Sequence, residues 1–164
     1  MVLGAAAFIP IVVFLVVATT IGVRLLLLAR RTRHLPESII GLGLSLISIL
    51  GLPLSALGRA PALLGSDLGN SAFAIGVAAT CTGIALFFVF TWRVFRAASS
   101  WAAGSVVAAA VLLVVIAVGA GVAGWQGSTL EEILPRTRPW VVSMVAMLCL
   151  ALGWTGVESL SYYR

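Results

Sequence analysis

Ionisable residues in this chain are confined to short gaps, and between the gaps run five stretches without a single charge: Met1 to Val23, Ser38 to Gly58, Leu68 to Trp92, Ala97 to Leu130 and Trp140 to Val157. About 20 apolar residues in an α-helix cross a hydrocarbon core of roughly 30 Å. The pattern therefore predicts five transmembrane helices, over about residues 4–28, 38–58, 70–92, 101–125 and 139–161. The expected fold class is an all-α integral membrane bundle, and residues 1–164 form one domain because no lengthwise repeat or soluble segment interrupts them.

Composition narrows the picture further. With 62% hydrophobic and 9% charged residues and a mean hydropathy of +1.19, there is too little polar surface to coat a water-soluble globule. The net charge of +5 does not imply nucleic acid, since the arginines are scattered in short loops instead of lining one continuous face. All ten basic residues are arginine. A retinal or pyridoxal Schiff base needs a lysine amine, so rhodopsin-type photochemistry is excluded.

The first apolar run has no positive residue ahead of it, and Arg30, Arg31 and Arg33 follow it. It reads as a retained anchor with its N-terminus outside, not as a signal peptide. Arg24, Arg30, Arg31, Arg33, Arg93, Arg96 and Arg164 fall on one side of the predicted membrane, against Arg59, Arg136 and Arg138 on the other. Basic residues stay on the cytoplasmic side, which puts the N-terminus outside and the C-terminus inside. The acidic Asp67, Glu131 and Glu132 all fall on the outer side, where they carry little weight in that rule. Aromatic residues anchor the interfaces: Trp92, Trp101, Tyr162 and Tyr163 at the inner ends, Trp125 and Trp140 at the outer ends. The inner loop 29–37 ends in Pro36 and Glu37, which favour a fresh helix start. Residues 58–70 read as an outer loop. Ser128 with Glu131 matches a capping box and predicts a short amphipathic turn in the last outer loop, 127–139.

Between helices in lipid the hydrophobic effect is absent, so recurring small residues mark the faces that touch. Gly41, Ser45, Ser48 and Ser55 share one side of a 3.6-residue helix that also holds Pro53. The third segment offers Ala72, Gly76, Thr80 and Gly83, and the fourth pairs Ala117 with Gly121 and Ala120 with Gly124. Close packing with serine hydroxyls bonded back to their own helix is one reading. A polar solute path lined by the three serines is the other.

Glu158 lies before the end of the last apolar run, and a carboxylate at depth in a bilayer needs a partner. Arg24 precedes Arg30 by six residues as Glu158 precedes Arg164. At 1.5 Å per residue both sit about 9 Å inside the inner arginines, so an Arg24–Glu158 ion pair closing the bundle is expected. A protonatable carboxylate in a cation pathway, or snorkelling of both side chains, are the alternatives. His34 is the only histidine, which removes bis-histidine haem and three-nitrogen metal sites. Cys81 and Cys149 lie mid-segment, where no aqueous thiolate forms, and read as packing residues. A serine nucleophile would lack a histidine or lysine base in any span, and Asp67 is the only aspartate. No catalytic residue, metal site or cofactor motif results; a lipid, quinone or carotenoid would need only an apolar groove.

The terminal element from Trp154 to Arg164, with Arg31 to Glu37 and Thr91 to Arg96, resembles an uncharacterised family of bacterial polytopic membrane proteins. The resemblance implies a bacterial cytoplasmic (inner) membrane location and, beyond the Tyr-Tyr-Arg element, a basic loop and two more helices, giving seven. It implies no activity. The shortage of polar groups inside the spans favours a non-enzymatic accessory or scaffolding subunit, its partners being membrane lipids and other membrane subunits or further copies of itself, with no nucleic acid. A transporter or channel would need oligomerisation to build a polar path. A sensor would need a separate output partner, because the inner loops are too short to hold one.

Overall fold

The computed structural model describes residues 2–125 and 130–162, with side chains at 11–60, 65, 67–125 and 135–161. Among them every regular element is helical: α1 (Val2–Thr32), α2 (Leu35–Ser45), a π-helical turn (Leu46–Gly51), α3 (Leu52–Gly58), α4 (Pro61–Phe95), α5 (Ser100–Trp125) and α6 (Leu130–Tyr162). Helix α2, the π turn and α3 form one continuous rod. Five helical segments are long and apolar enough to cross a membrane: Ile11–Thr32, Leu35–Gly58, Asp67–Phe95, Ser100–Trp125 and Pro135–Ser161.

Local chemistry sets the turns. Arg33 takes a positive φ of 55°, and its N–H reaches back to the Ala29 carbonyl at 2.8 Å, closing α1 with a left-handed cap. Pro36 then occupies the first turn of α2 with Glu37 beside it, where a missing N–H and a negative charge are both favoured. The Glu37 carboxylate accepts from the Thr32 hydroxyl at 2.6 Å, tying the two helix ends.

Two expected loops are shorter than the sequence suggested. Residues 58–70 read as loop, yet α4 already starts at Pro61, and Gly65 alone breaks it with φ 69°, a conformation open to glycine. The last loop, 127–139, is largely absorbed into α6, whose helix begins at Leu130 and carries Pro135 and Pro139 inside it. Ser128, half of the expected capping box, lies outside the described residues.

Helix α4 is the hub. It touches α2, the π turn, α3, α5 and α6, whereas α1, among the described residues, packs against α2 and the π turn. More than half of the α4 span is buried (56%), against 11% for α1 and for α6. Its Phe73, Val77, Cys81, Ile84, Phe87 and Phe88 meet Ala109, Leu113, Ile116 and Ala120 of α5 and Met147 and Ala151 of α6.

The rod and α4 meet glycine on glycine. A Cβ at Gly58 would stand 2.5 Å from the Gly69 carbonyl oxygen, one at Gly76 2.8 Å from that of Gly51, and one at Gly83 2.7 Å from that of Gly43. On α4 these glycines recur every seven residues. On the rod the steps are seven and eight, and the π turn between Gly43 and Gly51 absorbs the extra residue. Pro53 explains the widening. It has no N–H to give, its ring clashes with the carbonyl four residues back, and a π turn relieves both. The Leu52 N–H accordingly bonds to Ile47, five residues back.

The wider turn also rotates the rod by about one residue, roughly 100°. Gly41, Ser45 and Ser48 therefore face α1, while Ser55 leaves that face: its backbone nitrogen abuts Gly76 of α4, and it lines a cavity shared by α1, α3, α4 and α6. The single four-residue stripe expected from the sequence is thus two faces.

Candidate functional site

Polar side chains gather at the two ends of the bundle and at one helix interface in between. At the end that carries the α1–α2 and α4–α5 connections, Arg96 terminates α4, its N–H bonded to the Trp92 carbonyl at 2.9 Å. Its Nε donates to both oxygens of Glu158, at 3.0 and 3.1 Å, and Trp154 Nε1, one turn earlier on α6, donates to Oε1 at 3.2 Å. The Arg96 guanidinium also stands over the Trp101 ring of α5, 5.9 Å from its centre. Trp101 in turn lies 5.9 Å from the Trp154 ring. One turn deeper, the Thr91 and Thr155 hydroxyls are 2.7 Å apart.

This cluster corrects the expected Arg24–Glu158 pair. Glu158 is buried (7% exposed) and has its partner in Arg96. Arg24 is exposed on α1, a helix that does not touch α6. Equal depth placed Arg24 at the right level but said nothing about which helices are neighbours. The indicator for Arg96 was the pair of tryptophans, one five residues after it and one four before Glu158.

The serines of the rod are enclosed between helices. Ser48 accepts from Thr19 of α1 at 3.0 Å and donates to the Leu44 carbonyl at 2.8 Å. Ser55 donates to the Leu52 carbonyl. Ser45 Oγ is buried without a partner, and a Cβ on Gly22 would approach it to 2.8 Å. Thr80 closes on Gly51, and its hydroxyl bonds back to Gly76 at 2.9 Å.

Of the other expected packing residues, Gly124 abuts the Phe73 ring, while Gly121 meets only Ala74, at 3.8 Å. Gly121 instead lines an apolar groove of about 510 Å³ between α4 and α5, with Ala78, Val118 and Trp125. Sequence reasoning missed Gly22, Gly43, Gly51, Gly58 and Gly69, although the heptad of Gly69, Gly76 and Gly83 was visible.

Interface aromatics divide in the same way. Trp101 and Trp125 are exposed, but Trp140 packs its ring on Gly119 of α5. Trp92 is half-buried with Arg93 over its ring. The Tyr162 side chain and Tyr163 lie outside the described residues. His34 is exposed at the start of α2, Cys81 is buried, and Cys149 is exposed.

At the far end, Arg59 follows α3 with its guanidinium over the Phe73 ring, 4.4 Å from its centre. Among the described residues its Nε and Nη2 are buried without a hydrogen-bond partner. Desolvation pulls its pKa below the ordinary value, yet a guanidinium stays protonated at neutral pH.

One further feature lies on the outward side of α6. Ala146, Cys149, Gly153 and Gly156 are all exposed and recur at three- and four-residue steps, which puts them on one face. A Cβ at Gly153 or Gly156 would meet nothing within 4 Å. Larger residues flank the stripe, with Val145 and Leu152 on one side and Leu150 and Val157 on the other, all exposed. The result is a shallow channel along the helix, open for its whole length.

Comparison with known proteins finds no matching family model, no matching curated protein and no matching solved structure.

Proposed function

We propose that this chain is a non-enzymatic, five-span protein of a bacterial cytoplasmic membrane that acts as an accessory subunit, docking on another membrane helix through the outward channel of α6. The arginine asymmetry supports an orientation with the N-terminus outside and the C-terminus inside. The observation that carries the docking role is the open stripe of Ala146, Cys149, Gly153 and Gly156. Mobile lipid tails pack loosely on such a face, whereas a neighbouring helix can approach its backbone closely and gain van der Waals contact along its length. The same chemistry, glycine against backbone, already joins the rod to α4 inside this chain.

The experiment is copurification of the full chain in mild detergent, comparing wild type with Gly153→Leu and Gly156→Leu combined. Wild type is expected to bring a helix-bearing membrane partner, or a second copy, in fixed ratio, and the double variant to lose it. A partner retained by the double variant, or a wild-type chain that is monomeric and alone, counts against the proposal.

A further inference from the structure

Arg59 lies where two cavities meet at the far end of the bundle. One, of about 360 Å³, is an apolar slot between α1, α3, α4 and α6, walled by Ile11, Leu15, Pro53, Val77 and Met144. The other, of about 460 Å³, opens beside it and is lined by Arg59, Arg138 and Val142. Arg59 and Val141 belong to both. A cation therefore stands at the head of a slot that leads in among the apolar faces, with a second arginine at its mouth.

The Arg59 donors make the arrangement incomplete as it stands. Among the described residues Nε and Nη2 have no acceptor, and both are closed to a water-sized group, so an anion in the adjoining cavity meets them only when the side chain turns toward it. A buried charge without a hydrogen-bonded counter-charge is unfavourable, and stacking on Phe73 supplies only part of the missing interaction. The contrast with Arg96, whose Nε has two carboxylate oxygens, shows what Arg59 lacks.

We infer that this is a binding site for an anionic phospholipid, its phosphate held between Arg59 and Arg138 and one acyl chain lying in the slot. Charge complementarity selects the headgroup, since guanidinium groups bind phosphate through paired N–H donors. The slot selects a lipid over a free anion, because its other walls, Ser55 apart, offer a tail apolar contact. Neither feature depends on the docking role of α6.

The test is native mass spectrometry of the full chain in detergent, titrated with phosphatidylglycerol, phosphatidylcholine or inorganic phosphate. Phosphatidylglycerol is expected to bind clearly more tightly than phosphatidylcholine, and inorganic phosphate not to displace it. Arg59→Gln removes charge-assisted hydrogen bonds and lowers phosphatidylglycerol affinity about tenfold or more, while Arg59→Lys, which keeps the charge but not the paired donors or the stacking on Phe73, recovers only part of it. Val141→Trp fills the slot with the charges intact and abolishes retention of the lipid. Equal binding of the two lipids, or unchanged affinity in Arg59→Gln and Val141→Trp, overturns the inference. Arg59-dependent binding of inorganic phosphate that Val141→Trp leaves intact also overturns it, in favour of a free-anion site. Should Arg59→Gln fail to purify, Val141→Trp and the lipid comparison decide alone.

Discussion

Helices α4 and α6 carry the same kind of stripe and use it differently. On α4, Gly69, Gly76 and Gly83 are closed by the α2–α3 rod: a Cβ would stand 3.0 Å from the Gly58 oxygen at Gly69, and at Gly76 and Gly83 it would force the rod's backbone or the Ile47 side chain to move. On α6, Gly153 and Gly156 look out on nothing. In water an exposed glycine is unremarkable, but in lipid a bare backbone face forgoes the packing that holds helices together. What α4 achieves within the chain, α6 leaves for something outside it. The two helices meet where α6 packs on α4 through Met147 and Ala151, through the Thr91–Thr155 hydroxyls and through the Glu158–Arg96 pair.

The sharpest way to break this comparison is to shift the register of the filled stripe. Deleting Ile75, exposed on α4, turns Gly69 and Gly76 about 100° apart from their present alignment, and no folded protein is expected by gel filtration in detergent. The rod has slack that α4 lacks. Deleting the exposed Leu50 together with Pro53→Ala removes the extra residue and the proline that requires it, so the π turn closes to an α-helix and the glycines stay opposed. That variant is expected to fold. If the Leu50 deletion fails as badly as the Ile75 deletion, the register account is wrong.

Next in size is Gly76→Ala. The new methyl meets the Ser55 nitrogen and the Gly51 oxygen, backbone atoms that move only with the whole rod. Overpacking of this kind costs about 1–3 kcal/mol, here toward the upper end and offset in part by the helix preference of alanine. Unfolding in increasing sodium dodecyl sulfate measures it, and an unchanged midpoint would show that the interface is looser than its geometry.

A smaller loss is expected at the junction of the two helices. Glu158→Gln keeps an acceptor for Trp154 but not the charge that holds Arg96 on two oxygens. Its midpoint in the same assay should fall, while Arg24→Gln, altering an exposed side chain on a helix remote from α6, should leave it unmoved. The reverse order would restore the pairing suggested by depth alone.

Much of this architecture was legible because a helix long and apolar enough to cross a bilayer announces itself in the letters. The charge-free runs gave five helices whose positions the structure matches to within several residues at their ends, since length and hydropathy suffice for that. Azimuth was not legible. Whether Ser55 stays on the α1 face depends on one extra residue in a π turn, and a straight 3.6-residue projection has no place for it. Neighbours were not legible either, which is why Arg24 was paired with Glu158 across helices that do not touch. Glycine, serine and asparagine between 58 and 70 suggested a loop because these residues favour turns in water. Here Gly69 serves helix contact instead. The α6 stripe was present in the letters, at Ala146, Cys149, Gly153 and Gly156. Only the fold distinguishes it from the stripes that the chain fills itself.

The same substitution made on the open stripe sharpens the comparison most, although its effect is the smallest. Gly153→Ala adds one methyl, as Gly76→Ala does, and gains the same helix preference, up to about 1 kcal/mol. At Gly153 nothing stands within 4 Å to oppose it. The isolated chain should therefore be unchanged or slightly stabilised in the detergent titration, opposite in sign to Gly76→Ala. A loss at Gly153 equal to that at Gly76 would mean that the α6 face is already occupied in the purified protein, by a second copy that persists in detergent. Repeating the titration over a hundredfold range of protein concentration separates the two cases, because a contact between copies weakens on dilution and a contact within one chain does not.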